Sequence, residues 1–284
     1  MHTTLVDCAL LASRLDAPDW RVFDCRFDLA ATQRGEQAHR QSHLPGAFYA
    51  HLDRDLSGPV TPDTGRHPLP SPQTLCRWLG EHGVSGDTQV VVYDDTGGTM
   101  AVRLWWLLRW LGHHRVAVLD GGWQAWNAAG LPLETTPPRS VEPLVFEAAA
   151  DWQQVVSTAT IEQQLQHGGH ALLLMDARTR ERFRGDLEPI DPVAGHIPHA
   201  VNLPLQDNLD PDGRFKPAVA LRAMYSAMLD GRPASAVAAM CGSGVTACHN
   251  LLAMEIAGLP GGRLYAGSWS EWIRDPARPV AGGD

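Results

Sequence analysis

The chain repeats itself, and that constrains its fold more than any other feature. RVFDCRFDL (21–29) resembles ALLLMDARTRERF (171–183): each is an apolar run ending in aspartate, then a small residue and an arginine. HLPGAFYAHLDRDL (43–56) matches HIPHAVNLPLQDNL (196–209), QVVVYDDTGGT (89–99) matches AVAAMCGSGVT (236–246), and LDGGWQAW (119–126) matches YAGSWSEW (265–272). Asp24 pairs with Asp176, His43 with His196, Asp94 with Cys241 and Gly121 with Gly267, so the offset drifts only from 152 or 153 to 147 and 146 residues. Four landmarks in one order mark a tandem duplication of one domain, with a period too long for a solenoid. We read a first copy over 1–133, a linker over 134–150 and a second copy over 151–284; the four prolines between 131 and 151 suit a strap that wraps one domain to reach the next.

Within each copy, continuous apolar runs alternate with helical stretches. RVFD, QVVVYD and VAVLDGG read as buried strands, as do ALLLMD, SAVAAMCG and GRLYAGS. AVRLWWLLRWLG (101–112) and TACHNLLAMEIAG (246–258) read as equivalent helices. This pattern predicts an α/β fold in which each copy is a parallel sheet with helices on both faces. Function then belongs at the carboxyl ends of the strands.

Lys+Arg of 23 against Asp+Glu of 32 leaves a net charge of −9, which argues against a nucleic-acid partner. No apolar run reaches membrane-span length, and the first twenty residues lack the basic and apolar regions of an export signal, so a cytoplasmic protein is expected. Five cysteines, an odd number with no CxxC pair, point to free thiols rather than disulfides or a zinc ribbon.

One thiol stands apart. Cys241 opens CGSGVT, where a strand ends and a helix begins. Gly242 and Gly244 let successive N–H groups turn inward, and the helix points its positive end at the same place. Such a loop stabilises a thiolate or an anion carried on the sulfur. The first copy acts as a control: Asp94 stands at the matching position, so the fold does not need cysteine there. Cys8, Cys25 and Cys76 read as structural. Cys248, two helical turns after Cys241, reads as packing, with a resolving thiol as the alternative. A cysteine phosphatase would need arginine six residues after the nucleophile; Ala247 stands there, and Met240 precedes the cysteine.

These features resemble the rhodanese superfamily of sulfurtransferases, over essentially the whole chain. CGSGVT is similar to the neutral loop of 3-mercaptopyruvate sulfurtransferases, whereas thiosulfate-preferring members typically carry basic residues, as in CRKGVT. The resemblance implies a ping-pong reaction: a small-molecule donor, 3-mercaptopyruvate or alternatively thiosulfate, leaves sulfane sulfur on Cys241 as a persulfide. A thiol such as thioredoxin or glutathione, or cyanide, then removes it. It implies no cofactor and no metal. Arg182, in RFRG, matches the arginine that binds the donor's acid group, with Arg184 as a helper. The backbone of Gly242, Gly244, Val245 and Thr246 would cradle the donor. A second arginine is expected shortly before the glycine of GHIP, but Ile190 and Asp191 fall there. Ser243, His67 in GRHPLP and Asp55 in HLDRDLSG match a serine–histidine–aspartate relay, in which the first copy contributes the histidine; Arg66 would add positive potential. A persulfide carrier or redox-sensing module is the reading from a different class. Asp24 and Asp176 are expected to set the loops that follow them, and His43 and His196 to support the fold. Trp105, Trp106 and Trp110 are expected in the core.

Overall fold

The structure, a computed structural model, describes residues 1–138, 140–168 and 171–283; Arg139, inside the stretch read as a linker, lies outside them. The chain divides into two compact units. Unit 1 comprises Met1–Gly58, Leu69–Asp151 and Pro211–Phe215; unit 2 comprises Pro59–Pro68, Trp152–Asp210 and Lys216–Asp284. The units therefore follow the repeat along most of the chain, but 59–68 packs with unit 2 and 211–215 with unit 1.

Unit 1 contains strands β1 (Leu5–Val6), β2 (Trp20–Asp24), β3 (Phe48–Tyr49), β4 (Gln89–Tyr93) and β5 (Val116–Leu119). Its helices are α1 (Cys8–Ala12), α2 (Arg34–Gln41), α3 (Pro72–Glu81), α4 (Ala101–Trp110) and α5 (Gly122–Ala128). The sheet runs β1-β5-β4-β2-β3, and every pairing is parallel. All five side chains of β4 are buried, as a strand covered on both faces requires. Helix α4 is buried almost all round, including Trp105, Trp106 and Trp110, which accounts for its unbroken apolar sequence. Helix α3 begins in the way its sequence dictates: the Ser71 hydroxyl accepts the Thr74 N–H, and Pro72 fills the first turn, where its missing N–H costs nothing.

Unit 2 contains α6 (Thr158–Gln166), β6 (Leu173–Asp176), α7 (Arg180–Arg184), β7 (Val201–Asn202), α8 (Ala218–Leu229), β8 (Val237–Met240), α9 (Ala247–Ile256), β9 (Arg263–Leu264) and α10 (Ser268–Trp272). Its parallel sheet runs β7-β6-β8-β9. A single parallel bridge from Val155 to Leu264 stands where β1 pairs with β5 in unit 1, so the two sheets share one topology. Both are the parallel α/β sheets expected from the sequence.

The repeat extends to side chains. The Asp24 carboxylate accepts the Arg26 N–H at 3.0 Å, and the Asp176 carboxylate accepts that of Arg178 at 2.9 Å. Each arginine then forms a buried pair with its aspartate and lies over a tryptophan, Arg26 on Trp123 and Arg178 on Trp269. His43 and His196 each hydrogen-bond a backbone carbonyl through Nδ1, those of His39 and Phe183. These residues set the loops and support the fold in both copies. The stretch after the first copy is tied down along unit 1: Glu134 bridges to His43, the Leu144 N–H bonds the Gly80 carbonyl, and Phe146 is buried. Among the described residues no helix is long and apolar enough to cross a membrane.

Candidate active site around Cys241

Strands β6 and β8 are in register, Asp176 opposite Met240, just as Asp24 lies opposite Tyr93 in unit 1. The residue after each of these central strands is therefore equivalent: Asp94 in unit 1 and Cys241 in unit 2. The 241–246 loop leaves β8 and enters the first turn of α9, so its amides collect at the positive end of a ten-residue helix. Cys241 is buried, and its Sγ accepts the Gly244 N–H at 3.2 Å. Gly244 has φ +76°, and a Cβ there would lie 2.3 Å from the Ala266 carbonyl oxygen. Only glycine permits both the left-handed turn and that approach.

A second loop braces the first. The Trp269 N–H bonds the Cys241 carbonyl at 3.0 Å, and the Ser270 N–H bonds that of Gly242 at 2.9 Å. The Ser268 hydroxyl accepts the Cys241 N–H at 3.1 Å and donates to the Tyr265 carbonyl. Ser268 is a non-glycine residue at φ +53°. Its counterpart in unit 1 is Gly122, at φ +52°. The exchange of glycine for a strained serine in the cysteine-bearing copy is readable from the aligned repeats, yet only the structure gives it a role: it fixes the Cys241 amide.

The 59–68 segment brings the remaining groups. Gly65 packs so close that a Cβ would fall 2.6 Å from the Gly267 carbonyl oxygen. The Arg66 N–H bonds Ser270 Oγ at 3.1 Å, and Arg274 Nε donates to the Thr64 carbonyl. With the backbone so anchored, His67 Nδ1 lies 2.7 Å from Ser243 Oγ, both residues being buried. His67 thus comes from the first repeat by sequence and packs in unit 2 by contact.

Two guanidiniums stand over Gly242. A Cβ built there would lie 2.9 Å from Arg66 Nη2, 3.4 Å from Arg182 Nη2 and 3.6 Å from Arg182 Nη1. Arg182 projects from α7 and is held by a fork on Glu188 through Nε and Nη2, and by Asp191 Oδ2 at 3.0 Å from Nη2. Asp191 Oδ1 accepts from Arg66 Nη1. The carboxylate where a second arginine was expected thus joins two arginines that are already present. Glu188 also accepts the backbone N–H groups of Ile190 and Asp191, which fixes that loop. Burial pulls the Arg66 guanidinium below its ordinary pKa; the Cys241 sulfur opposes that shift, and the neighbouring Arg182 adds to it.

The other predicted residues lie on α7, in unit 1 and later in the 241–246 loop. Arg184 is exposed on α7. Asp55 lies in unit 1, where its Oδ2 accepts the His51 N–H at 2.8 Å and its Oδ1 accepts from Arg54 Nε. Val245 is buried, its carbonyl accepting the Cys248 N–H, and Thr246 is the last residue before α9. Cys248 Sγ packs on the Gly244 carbonyl at 3.5 Å. Burial pushes the thiols of Cys8 and Cys76 up, and that of Cys25 well up, which makes each a poor nucleophile.

The Rhodanese-like domain family matches residues 7–129 and again residues 157–275. This chain belongs to the rhodanese family. A Pseudomonas aeruginosa protein named "Probable 3-mercaptopyruvate sulfurtransferase" is 52% identical over 99% of this chain and 98% of its own length. The mouse thiosulfate sulfurtransferase is 35% identical over 96% of this chain and 93% of its own. Among solved structures, the 3-mercaptopyruvate sulfurtransferase of Leishmania major superposes with a TM-score of 0.83 at 33% identity, covering 96% of this chain and 76% of that one. Both rhodanese domains therefore have the fold and order expected from the repeat.

Proposed function

We propose that this rhodanese protein is a sulfurtransferase that takes sulfur from 3-mercaptopyruvate onto Cys241 and passes it to a thiol or to cyanide. One observation carries the reading: a cysteine whose sulfur accepts a loop amide opens a loop that also holds the Ser243–His67 pair and has Arg182 next to Gly242. The sequence likeness to the Pseudomonas aeruginosa relative supports the donor.

The chemistry follows from these groups. The Cys241 thiolate attacks the donor's thiol sulfur. The sulfur–carbon bond breaks, and its electron pair passes into the adjoining carbonyl to give the enolate of pyruvate. Cys241 keeps the transferred sulfur as a persulfide, and the enolate takes up a proton to leave as pyruvate. Arg182 holds the donor carboxylate, for which a guanidinium fork is apt. Ser243, hydrogen-bonded to His67, stabilises the enolate oxygen and relays its proton. In the second half-reaction a thiolate or cyanide attacks the outer sulfur and releases the Cys241 thiolate. The loop amides, together with the end of α9, stabilise the anionic sulfur in each resting state.

The Ser–His pair favours a donor that leaves as an enolate. Thiosulfate leaves as sulfite, which needs no proton relay. The test is sulfur transfer to cyanide with each donor in turn. We expect the higher kcat/KM with mercaptopyruvate; a much higher value with thiosulfate would overturn the donor assignment.

A further inference from the structure

The two copies treat one buried guanidinium differently. In unit 2, Arg178 spends Nε and Nη2 on Asp176, Nη2 also on the Gly195 carbonyl, and Nη1 on Glu188 Oε2 at 3.5 Å. Its counterpart in unit 1, Arg26, makes the matching bonds to Asp24 and to the Ser42 carbonyl, but none of the described residues takes its Nη1. The acids close by in sequence are engaged elsewhere, Asp28 with Arg34 and Glu36 with Arg40. Arg26 is only 4% exposed, and it lines a cavity of about 750 Å³ just beyond the carboxyl ends of β2 and β4. Its backbone is fixed there: Tyr49 Oη donates to the Arg26 carbonyl at 2.9 Å, and Gly35 presses α2 so close that a Cβ would overlap the same carbonyl oxygen. Asp95, two residues after β4, lines the cavity too, as do Gln37 and Gln41, one turn apart on α2. Burial and the Asp94 charge push the Asp95 carboxyl above its ordinary pKa, and no cation among the described residues forms an ion pair with it.

We propose that this cavity of unit 1 is a binding site for a small zwitterion of the α-amino-acid class, which sets its carboxylate on Arg26 Nη1 and its ammonium on Asp95. The site is formed by unit 1 alone and does not rest on the sulfurtransferase reading. In unit 2 the protein's own Glu188 supplies the carboxylate for this edge of the guanidinium. In unit 1 that place is left to a ligand, and a charge-assisted bond gains strength where bulk water is held off. The charges select the class. An anion alone would meet the Asp95 charge, and a cation alone would meet Arg26. A molecule that carries both charges about one carbon serves both groups. The Gln37 and Gln41 amides offer donors and acceptors to a polar side chain on the ligand. The opening beyond the carboxyl ends of parallel strands is also where folds of this class take small molecules.

Isothermal titration calorimetry on the full chain tests this, with glycine, L-serine and L-glutamine as zwitterions and with acetate and methylammonium as the two halves. At least one of the amino acids should bind about tenfold or more tightly than either half. Two variants leave the Asp24–Arg26 pair intact. Asp95→Asn removes the partner of the ammonium, so amino-acid affinity should fall about tenfold while acetate binding does not weaken. Ala38→Trp places an indole on the cavity wall formed by α2 and should abolish binding of every probe. Both variants should keep wild-type sulfur transfer, since neither residue belongs to the Cys241 site. No heat from any of the three amino acids at tens of millimolar, acetate bound as tightly as they are, or binding that survives Ala38→Trp unchanged would each overturn the proposal. So would amino-acid affinity unmoved in Asp95→Asn. None of these outcomes bears on sulfur transfer at Cys241, which the donor assay above tests separately.

Discussion

The same loop occurs twice in this chain and does opposite things. In unit 1, β4 ends at Asp94, and the loop closes on its own carboxylate. Oδ1 accepts the N–H groups of Thr96 and Gly98, and Oδ2 those of Met100 and Ala101, all between 2.7 and 2.9 Å. Asp94 is fully buried, so the anion site at the start of α4 is filled by the protein itself. In unit 2 the equivalent residue is a cysteine, whose sulfur takes one amide, and the rim carries Arg66, Arg182, Ser243 and His67. Unit 1 shows what the cradle is for: it holds negative charge at a strand end. Unit 2 replaces the built-in anion with a sulfur on which an anionic charge can be made and discharged. One copy gains stability from the cradle, and under the proposed function the other uses it for chemistry.

The comparison predicts a double dissociation. Cys241→Ser should lower sulfur transfer by at least about a thousandfold, because an unactivated hydroxyl is a far poorer nucleophile. The same variant should fold and melt almost as wild type does. Asp94→Ala should do the reverse. It strands four amides at a buried helix start, and the cost expected in urea or thermal unfolding of unit 1 is about 3–5 kcal/mol. If Asp94→Ala were no less stable than Cys241→Ser, the contrast between a structural and a chemical cradle would fail.

Smaller effects refine the picture. Ser243→Ala should reduce kcat with mercaptopyruvate by about ten- to a hundredfold, in the range of a lost proton relay, and reduce it less with thiosulfate. Equal losses with both donors would mean that Ser243 shapes the loop and handles no proton. Cys25→Ala should be the mildest change, about 1 kcal/mol or less in stability with unchanged turnover. Cys25 follows β2 just as Ala177 follows β6, so the second copy already carries the substitution.

Much of this was legible in the sequence because duplication supplies its own alignment. The paired Asp–x–Arg motifs, the recurring histidines and the exchange of Asp94 for Cys241 revealed the two-copy organisation and set one thiol apart from the other four. The Ser243–His67 contact and the place of Arg182 followed from motif resemblance. What escaped was determined by contacts distant in sequence. No local pattern says that 59–68, inside the first repeat, packs with unit 2, since this depends on Gly65 meeting the Gly267 carbonyl some two hundred residues away. Asp191 looked like the loss of an arginine, because a sequence cannot show that the carboxylate gathers Arg66 beside Arg182.

The central claim is that the open cradle of unit 2 carries the transferred sulfur. Intact-protein and peptide mass spectrometry after brief treatment with mercaptopyruvate tests it most directly. The account predicts one added sulfur atom per chain, located on Cys241, lost on addition of cyanide and absent from Cys241→Ser. No added sulfur in the wild type, or sulfur on Cys248 or another thiol with Cys241 unmodified, would contradict it.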